Sequence, residues 1–342
     1  MTMYRLIVDE DWVKGSLHCH STSSDGHLSP GEVADYYVSR GYGLLALTDH
    51  GKITTNFVND DGCTVLTGIE VSKGQSKLKE PYHIVALGIN DPGLNDLNSP
   101  LEVIDKVKSA EGLTIIAHPS WSSLVHEDLA VLKDYDGIEV YNTGCDVEVA
   151  KGYAVSHWDN LLSMGCECLG YAVDDAHRYL IPPIDADGGW VFLEKPSDET
   201  AALKMLRIGQ FFSSTGPMFK SLEMSDSAVH LKCSPVTRVN VVSHNGRGIC
   251  ISINDLGCLL KAWKTPSERQ RMAHRYRQVE VNTENKVTTV FLDEVAWKAK
   301  VVFSPKGIEQ VEVESRIFSR YMRVEASDLQ GRTAWSNPIY FK

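Results

Sequence analysis

The sequence contains no Cys-x-x-Cys pair. Its eight cysteines, Cys19, Cys63, Cys145, Cys166, Cys168, Cys233, Cys250 and Cys258, are scattered along the chain. In a chain this long, that spacing suggests reduced thiols in a cytoplasmic protein. Cys166 and Cys168 stand two apart and read as small core residues at a strand start. No apolar run approaches the roughly 18 residues of a membrane span, so no membrane partner is expected. Met1 to Trp12 lacks a basic segment followed by an apolar core, so no secretory signal is expected. Internal repeats and low-complexity tracts are also missing. Basic residues are outnumbered: 34 Lys and Arg against 45 Asp and Glu give a net charge of −11. That balance disfavours extended phosphate-backbone contacts with nucleic acid, beyond a nucleotide or short oligonucleotide.

What is present is unevenly distributed. Residues 1–217 carry 15 basic and 32 acidic residues, a net −17, and residues 218–342 carry 19 and 13, a net +6. The split suggests two domains with different jobs, 1–217 and 218–342. Through the first, short apolar runs alternate with helical patterns. The runs are Gly15–Leu17, Leu44–Leu47, Val65–Ile69, His83–Leu87, Leu113–Ala117, Gly137–Tyr141, Leu169–Val173 and Val191–Leu193. Their apolar character is that of buried parallel strands. Ser29-Pro30-Gly31-Glu32 reads as a capping box that starts a helix ending near Gly41. Pro100 opens another that ends before Gly112. Weaker helical patterns cover Glu127–Lys133, Asp146–Met164 and Asp198–Ile208. Such strand–helix repetition predicts an α/β protein with a parallel sheet or barrel. After Pro217 the rhythm becomes about seven short strands, which predicts a small β-sandwich. A basic, helical insertion interrupts it near residues 261–277.

Histidines and carboxylates carry the chemical signal. His18-Cys19-His20 ends the first strand, and on an extended strand positions i and i+2 share a face. Asp25 follows in Ser24-Asp25-Gly26. His50 closes Thr48-Asp49-His50, Glu70 closes Gly68-Ile69-Glu70, and His83 starts the next run. His118 closes Ile116-Ala117-His118-Pro119, and Asp175-Ala176-His177 is a second i, i+2 pair. Most of these positions fall at the carboxyl end of a predicted strand, the face on which parallel barrels build active sites. Imidazole nitrogen with carboxylate oxygen suits zinc, manganese or iron better than calcium. Nine ligands are too many for one ion and suit two or three.

These ordered motifs resemble those of the PHP (polymerase and histidinol phosphatase) superfamily over about residues 14–217. The resemblance implies a distorted (β/α)7 barrel and a multinuclear metal site that hydrolyses phosphoesters. It implies that His18, His20, Glu70 and Asp175 hold one ion. Glu70, His83 and His118 would hold a second, with Glu70 bridging, and Asp25, His50 and His177 a third. Family members often carry histidine where Asp25 stands. Phe212-Ser213-Ser214-Thr215-Gly216-Pro217 and Ala334-Trp335-Ser336-Asn337-Pro338-Ile339 resemble a two-domain branch that appends a β-domain and includes a carbamate hydrolase.

The expected activity is hydrolysis of a small phosphorylated substrate by a hydroxide held between two ions. Glu70, Asp175, His177 and Arg178 are the residues expected to serve catalysis. Arg178, next to His177, is the first candidate for a phosphate contact and Lys73 the second. The same hydroxide could attack a carbamate, amide or ester carbonyl, and a non-catalytic metal-bearing scaffold is the remaining alternative. Asp49 and Asp174 are candidate partners for the adjacent ligands His50 and His177, and Asn142 is a candidate substrate contact. Cys19 should point to the opposite face of its strand, into the core.

Overall fold

The computed structural model describes residues 3–55 and 62–341. It divides into two compact units, Asp11–Thr215 and a unit made of Gly216–Lys342 with the leading stretch up to Glu10. The charge split alone would assign that leading stretch to the first domain. Instead its strand β1 (Tyr4–Ile7) pairs antiparallel with a strand of the later unit, residues Ser221–Met224.

The Asp11–Thr215 unit runs β2 (Trp12–Ser16), α1 (Pro30–Val38), β3 (Tyr42–Ala46), β4 (Thr64–Leu66), β5 (Gly68–Lys73), β6 (Tyr82–Leu87) and α2 (Pro100–Ser109). Then follow β7 (Leu113–Ile116), α3 (His126–Ala130), β8 (Gly137–Asn142), α4 (Thr143–Val149), α5 (Val155–Met164), β9 (Leu169–Val173), β10 (Trp190–Glu194), α6 (Glu199–Arg207) and β11 (Phe212–Ser214). The expected capping box forms at Ser29, and a second forms at Ser99: the two serines accept from the backbone of Glu32 and Glu102, and each glutamate reaches back to its cap. Both helices also start on proline, whose fixed φ suits the first turn. The pattern over Asp146–Met164 is broken into α4 and α5, because Ala150 adopts a left-handed backbone at the end of α4.

Within this unit the strands order as β11-β10-β2-β3-β4 and as β5-β6-β7-β8-β9. The expected parallel sheet or barrel is met in only part of the strand pairings. The pairs β2/β3, β3/β4, β7/β8 and β8/β9 are parallel. The pairs β5/β6, β6/β7, β10/β2 and β10/β11 are antiparallel. The runs themselves carry no direction: a strand buried on both faces reads the same either way. Strand β3 illustrates the double burial. Leu44 and Ala46 join a core shared by both sheets, with Leu66, Val85, Leu113, Ile115 and Val173. Leu45 and Leu47 pack on the other side against Val33, Ala34 and Tyr37 of α1.

The later unit is antiparallel. It comprises β12 (Phe219–Met224), β13 (Ala228–Val236), β14 (Arg238–Ser243), β15 (Gly248–Ser252), α7 (Ile253–Trp263), α8 (Pro266–Met272), β16 (Tyr276–Glu284), β17 (Val287–Glu294), β18 (Trp297–Ser304), β19 (Gly307–Ser315), β20 (Tyr321–Ser327), β21 (Thr333–Ser336) and β22 (Ile339–Tyr340). Seven strands form the sheet β1-β12-β13-β19-β18-β17-β16. A second ladder has β14 between β15 and β20, with β21 and β22 also paired to β20. Strands β15, β18, β19 and β21 escape a reading by apolar runs: the first three mix buried and exposed positions, and β21 has only four residues, two of them polar. The basic insertion is not one helix over 261–277: it holds the end of α7, all of α8 and the start of β16. Its charges are partnered locally, Arg271 with Glu268 and Arg275 with Glu294. Among the described residues, no helix is long and apolar enough to cross a membrane.

Candidate metal centre

The strand ends of the first unit bring the nine singled-out residues to one place. His18 and His20 follow β2, His50 follows β3, Glu70 lies in β5, His118 follows β7, and Asp175 and His177 follow β9. His83 stands near the start of β6, which runs antiparallel to β5, so its beginning lies at that same edge, opposite Ser72. Isolated parallel bridges between Cys19 and Ala176 and between His50 and Glu70 draw these ends together. His118 and Asp175 hold φ values of 28° and 55° without being glycine. Such left-handed backbone costs about 1–3 kcal/mol per residue and is concentrated at functional sites. The loop carrying Asp25 needs glycine for a different reason. A Cβ at Gly26 would lie 2.4 Å from the carbonyl oxygen of His20.

Three donor groups result: His18, His20, Glu70 and Asp175; Glu70, His83 and His118; and His20, Asp25, His50 and His177. In the first, His18 Nε2 and His20 Nε2 face each other at 3.2 Å. Asp175 Oδ1 lies 3.3 and 3.1 Å from them, and Glu70 Oε2 lies 3.4 Å from both. Donors about 2.0–2.1 Å from one tetrahedral ion stand roughly 3.3–3.4 Å apart, so these spacings fit a shared cation. Glu70 turns its other oxygen to the second group: Oε1 is 3.0 Å from His83 Nδ1 and 3.4 Å from His118 Nε2. In the third group, Asp25 lies 3.5 Å from His177 Nε2 and 3.6 Å from His50 Nε2. His20 Nδ1 is 3.9 Å from Asp25.

Two buried atoms here lack any hydrogen-bond partner, Glu70 Oε2 and His20 Nδ1. His50 Nδ1 is only 2.9 Å from Glu70 Oε2 but is not aligned to donate to it. A buried polar atom left without a partner costs about 1–3 kcal/mol, and a bound cation would remove that cost. The donor set therefore fits divalent ions.

Charge and hydrogen bonding prepare the ligands. Burial alone would raise the Glu70 carboxyl, but the charge of His18 and the close imidazoles of His118, His18 and His50 hold it well below the usual carboxylate range. Asp175 is likewise pushed up by burial and held well below that range by His18, His20 and His118. Both are therefore anionic at neutral pH. His18 donates Nδ1–H to Glu139 Oε1 at 2.6 Å, which leaves Nε2 facing the donor group. A carboxylate behind a ligating imidazole fixes its tautomer and raises its basicity. Glu139 Oε2 also accepts from the His118 amide and from Asn142 Nδ2. His177 donates Nδ1–H to the Asp175 carbonyl, so its Nε2 also faces the donor group.

Several expected roles move to other residues. Asp49 does not support His50: it accepts from Ser21, Ser24 and Thr54 and so ties down the loop that carries Asp25. Asp174 does not support His177. It accepts from Tyr37, Thr143 and the amides of Asp187, Gly188 and Gly189, and burial pushes its carboxyl up to about 6. Asp185 serves the His177 segment instead, accepting from the amides of His177, Arg178 and Tyr179. Asn142 is fully buried, links Glu139 to Asp175 and caps α4 through its carbonyl oxygen. Cys19 is buried with its thiol on the Ala46 carbonyl, on the core side as expected. Lys73 points elsewhere, to the carbonyl of Asn95. Arg178 borders the site, with Nε 3.3 Å from Asp185 and Nη1 3.4 Å from Glu148.

Glu139 and Asp185 escaped the sequence reading. A signal for Glu139 existed: an acidic residue inside the buried run Gly137-Ile138-Glu139-Val140 needs a partner. The donor groups open into a cavity of about 330 Å³ lined by His50, Glu70, His83, His118, Asp175 and His177, with Trp121, Cys145, Glu148, Arg178 and Asp185 on its walls.

Comparison with known proteins adds independent findings. No family model matches the chain. It is 41% identical over 82 residues to a 5′-3′ exoribonuclease of Haemophilus influenzae, covering 22% of this chain and 29% of that protein. It is 41% identical over 93 residues to a 3′,5′-nucleoside bisphosphate phosphatase of Chromobacterium violaceum, covering 26% and 32%. The chain thus spans about a third of the length of these curated relatives. Among solved structures, it is similar to a two-domain Bacteroides vulgatus protein described as containing a predicted PHP-like metal-dependent phosphoesterase, at 12% identity, TM-score 0.48 and 97% coverage of both chains. The motifs thus converge on one set of donor groups in a chain that is similar, over part of its length, to an exoribonuclease and a nucleoside bisphosphate phosphatase.

Proposed function

We propose that this protein is a metal-dependent phosphoesterase that releases phosphate from a small phosphorylated molecule. The observation that carries this reading is Glu70, whose two carboxylate oxygens face two different donor groups. When bound, two to three divalent ions (zinc, manganese or iron) supply Lewis acidity and acidify water from a pKa of about 15.7 towards about 7. The chain's residues do the rest. His18, His20, Glu70 and Asp175 hold the buried ion, Glu70, His83 and His118 the next, and Asp25, His50 and His177 the outermost. Glu139 and Asn142 orient His18, His118 and Asp175. Arg178, braced by Asp185, steadies a phosphate oxygen at the cavity wall. Asp25, Glu70 and Asp175 contribute −3 against +6 from three divalent ions, so the loaded site attracts a phosphate despite the acidic unit around it.

In this reading the two five-stranded sheets form the distorted (β/α)7 barrel, and the later unit is a β-sandwich-like appendage. The eight scattered cysteines accord with a cytoplasmic location. The test is elemental analysis and a hydrolysis panel on one preparation never exposed to chelator. Two to three ions per chain with turnover of a phosphomonoester, phosphodiester or nucleotide is the expected result. One ion or none would sink the multinuclear centre. Turnover of aryl carbamate or acetate without any phosphoester would replace the activity.

A further inference from the structure

Every lining residue of the 330 Å³ cavity but three, Trp121, Gly144 and Cys145, carries an ionisable polar group as imidazole, carboxylate or guanidinium. Among the described lining residues Trp121 is the one large apolar surface, and it remains 40% exposed. Its ring meets the His118 and His83 rings edge to face, with centroids 5.1 and 6.0 Å apart, so one part is anchored beside the donor groups. The turn that carries it is held firmly. Ser122 N donates to the His118 carbonyl, and Ser122 Oγ lies 3.0 Å from His118 Nδ1. Ser120 Oγ donates to the Tyr153 carbonyl, and His157 Nε2 lies 2.8 Å from the Leu124 carbonyl. Ser123 adopts φ 52°, which seals the turn. A tethered turn thus presents a half-exposed indole at the mouth of a polar cavity. Across a substrate, this pairs a site for the phosphate with a site for a flat, apolar leaving group.

We propose that Trp121 is a stacking platform that selects phosphoesters whose leaving group carries a planar aromatic ring, a nucleobase foremost. The inference rests on the phosphoesterase reading and deepens it. In the reaction, water oxygen forms the new bond to phosphorus, the ester P–O bond breaks, and the leaving oxygen takes the proton that water gives up. The ring stays on Trp121 throughout and contributes binding, not chemistry. Stacking of one base on an aromatic side chain is commonly worth about ten-fold or more in affinity.

The test compares the full-length, manganese-loaded parent protein with Trp121→Ala and Trp121→Phe. The first readout is the ratio of kcat/KM for adenosine 5′-monophosphate over that for glycerol 3-phosphate. It is expected to fall about ten-fold or more in Trp121→Ala and to stay within about three-fold in Trp121→Phe. An unchanged ratio in Trp121→Ala overturns the proposal, even if both activities drop together. The second readout is calorimetric binding of adenosine, which carries no phosphate, with metal content checked by elemental analysis. Adenosine binding weakened in Trp121→Ala and kept in Trp121→Phe supports the platform even if no phosphoester is turned over, in which case the reaction assignment alone fails. Equal adenosine affinity in all three proteins, or none in the parent, overturns the platform and leaves the phosphoesterase reading standing on its own test.

Discussion

The two ends of the metal centre are made of the same chemistry and differ in solvent. His18, His20 and Glu70 are 0–1% exposed and the Asp175 side chain 11%, whereas Asp25, His50 and His177 are 57%, 40% and 30% exposed. The buried donors sit at strand ends and are braced from behind by Glu139 and Asn142. Asp25 sits on a loop held through Ser21 and Ser24 by Asp49. Burial makes the inner group costly to leave without a cation, because its charges and lone pairs have no water to turn to. The outer group has water as an alternative partner. One set of ligand types can therefore build a permanent ion and an exchangeable one, and burial decides which is which.

Four experiments would break or sharpen that contrast. Glu70→Gln should have the largest effect, since it weakens ligation in two groups at once. Both inner ions should be lost on elemental analysis, and activity should fall by more than the roughly 100-fold typical of removing an outer partner. Glu139→Gln should follow. It touches no proposed ion yet lets the His18 ring turn, and metal affinity by competition with a chelator should drop about 10–100-fold. His177→Ala should cost less, removing the outer ion while the inner two persist. Loss of all ions in that variant would show that the ends are not independent. Asp25→Asn should have the smallest effect: Asp25 belongs to the outer group alone and its side chain is 57% exposed, so the outer ion should leave faster on chelator addition while inner-ion content is unchanged. Equal chelator half-times for inner and outer ions in the parent protein would end the distinction itself.

The candidate donor groups were legible because metal chemistry restricts residue type, and strand geometry restricts spacing. His18 and His20, like Asp175 and His177, are two apart, and the capping box at Ser29 and the proline at Pro100 announced helices that form as read. Partners farther apart in sequence were not legible. Asp49 and Asp174 adjoin ligands in the chain yet bond elsewhere, whereas Glu139 reaches His18 across 121 positions. Proximity in sequence was a poor guide because a side chain at i and one at i+1 on extended chain point to opposite faces. Strand direction was hidden for a related reason, since double burial gives an apolar run with no polarity.

By itself, then, the sequence determined which residues can bind metal, where strands and helices alternate, and where the character of the chain changes. These follow from residue chemistry and local backbone periodicity. Only the tertiary structure decided that β5, β6 and β7 pair antiparallel, that the leading strand β1 joins the later unit, and that Glu139, Asp185 and Trp121 stand around the centre. It also decided which ligands are dry and which are wet. Those outcomes depend on how surfaces distant in the chain exclude water together, and no local pattern records that.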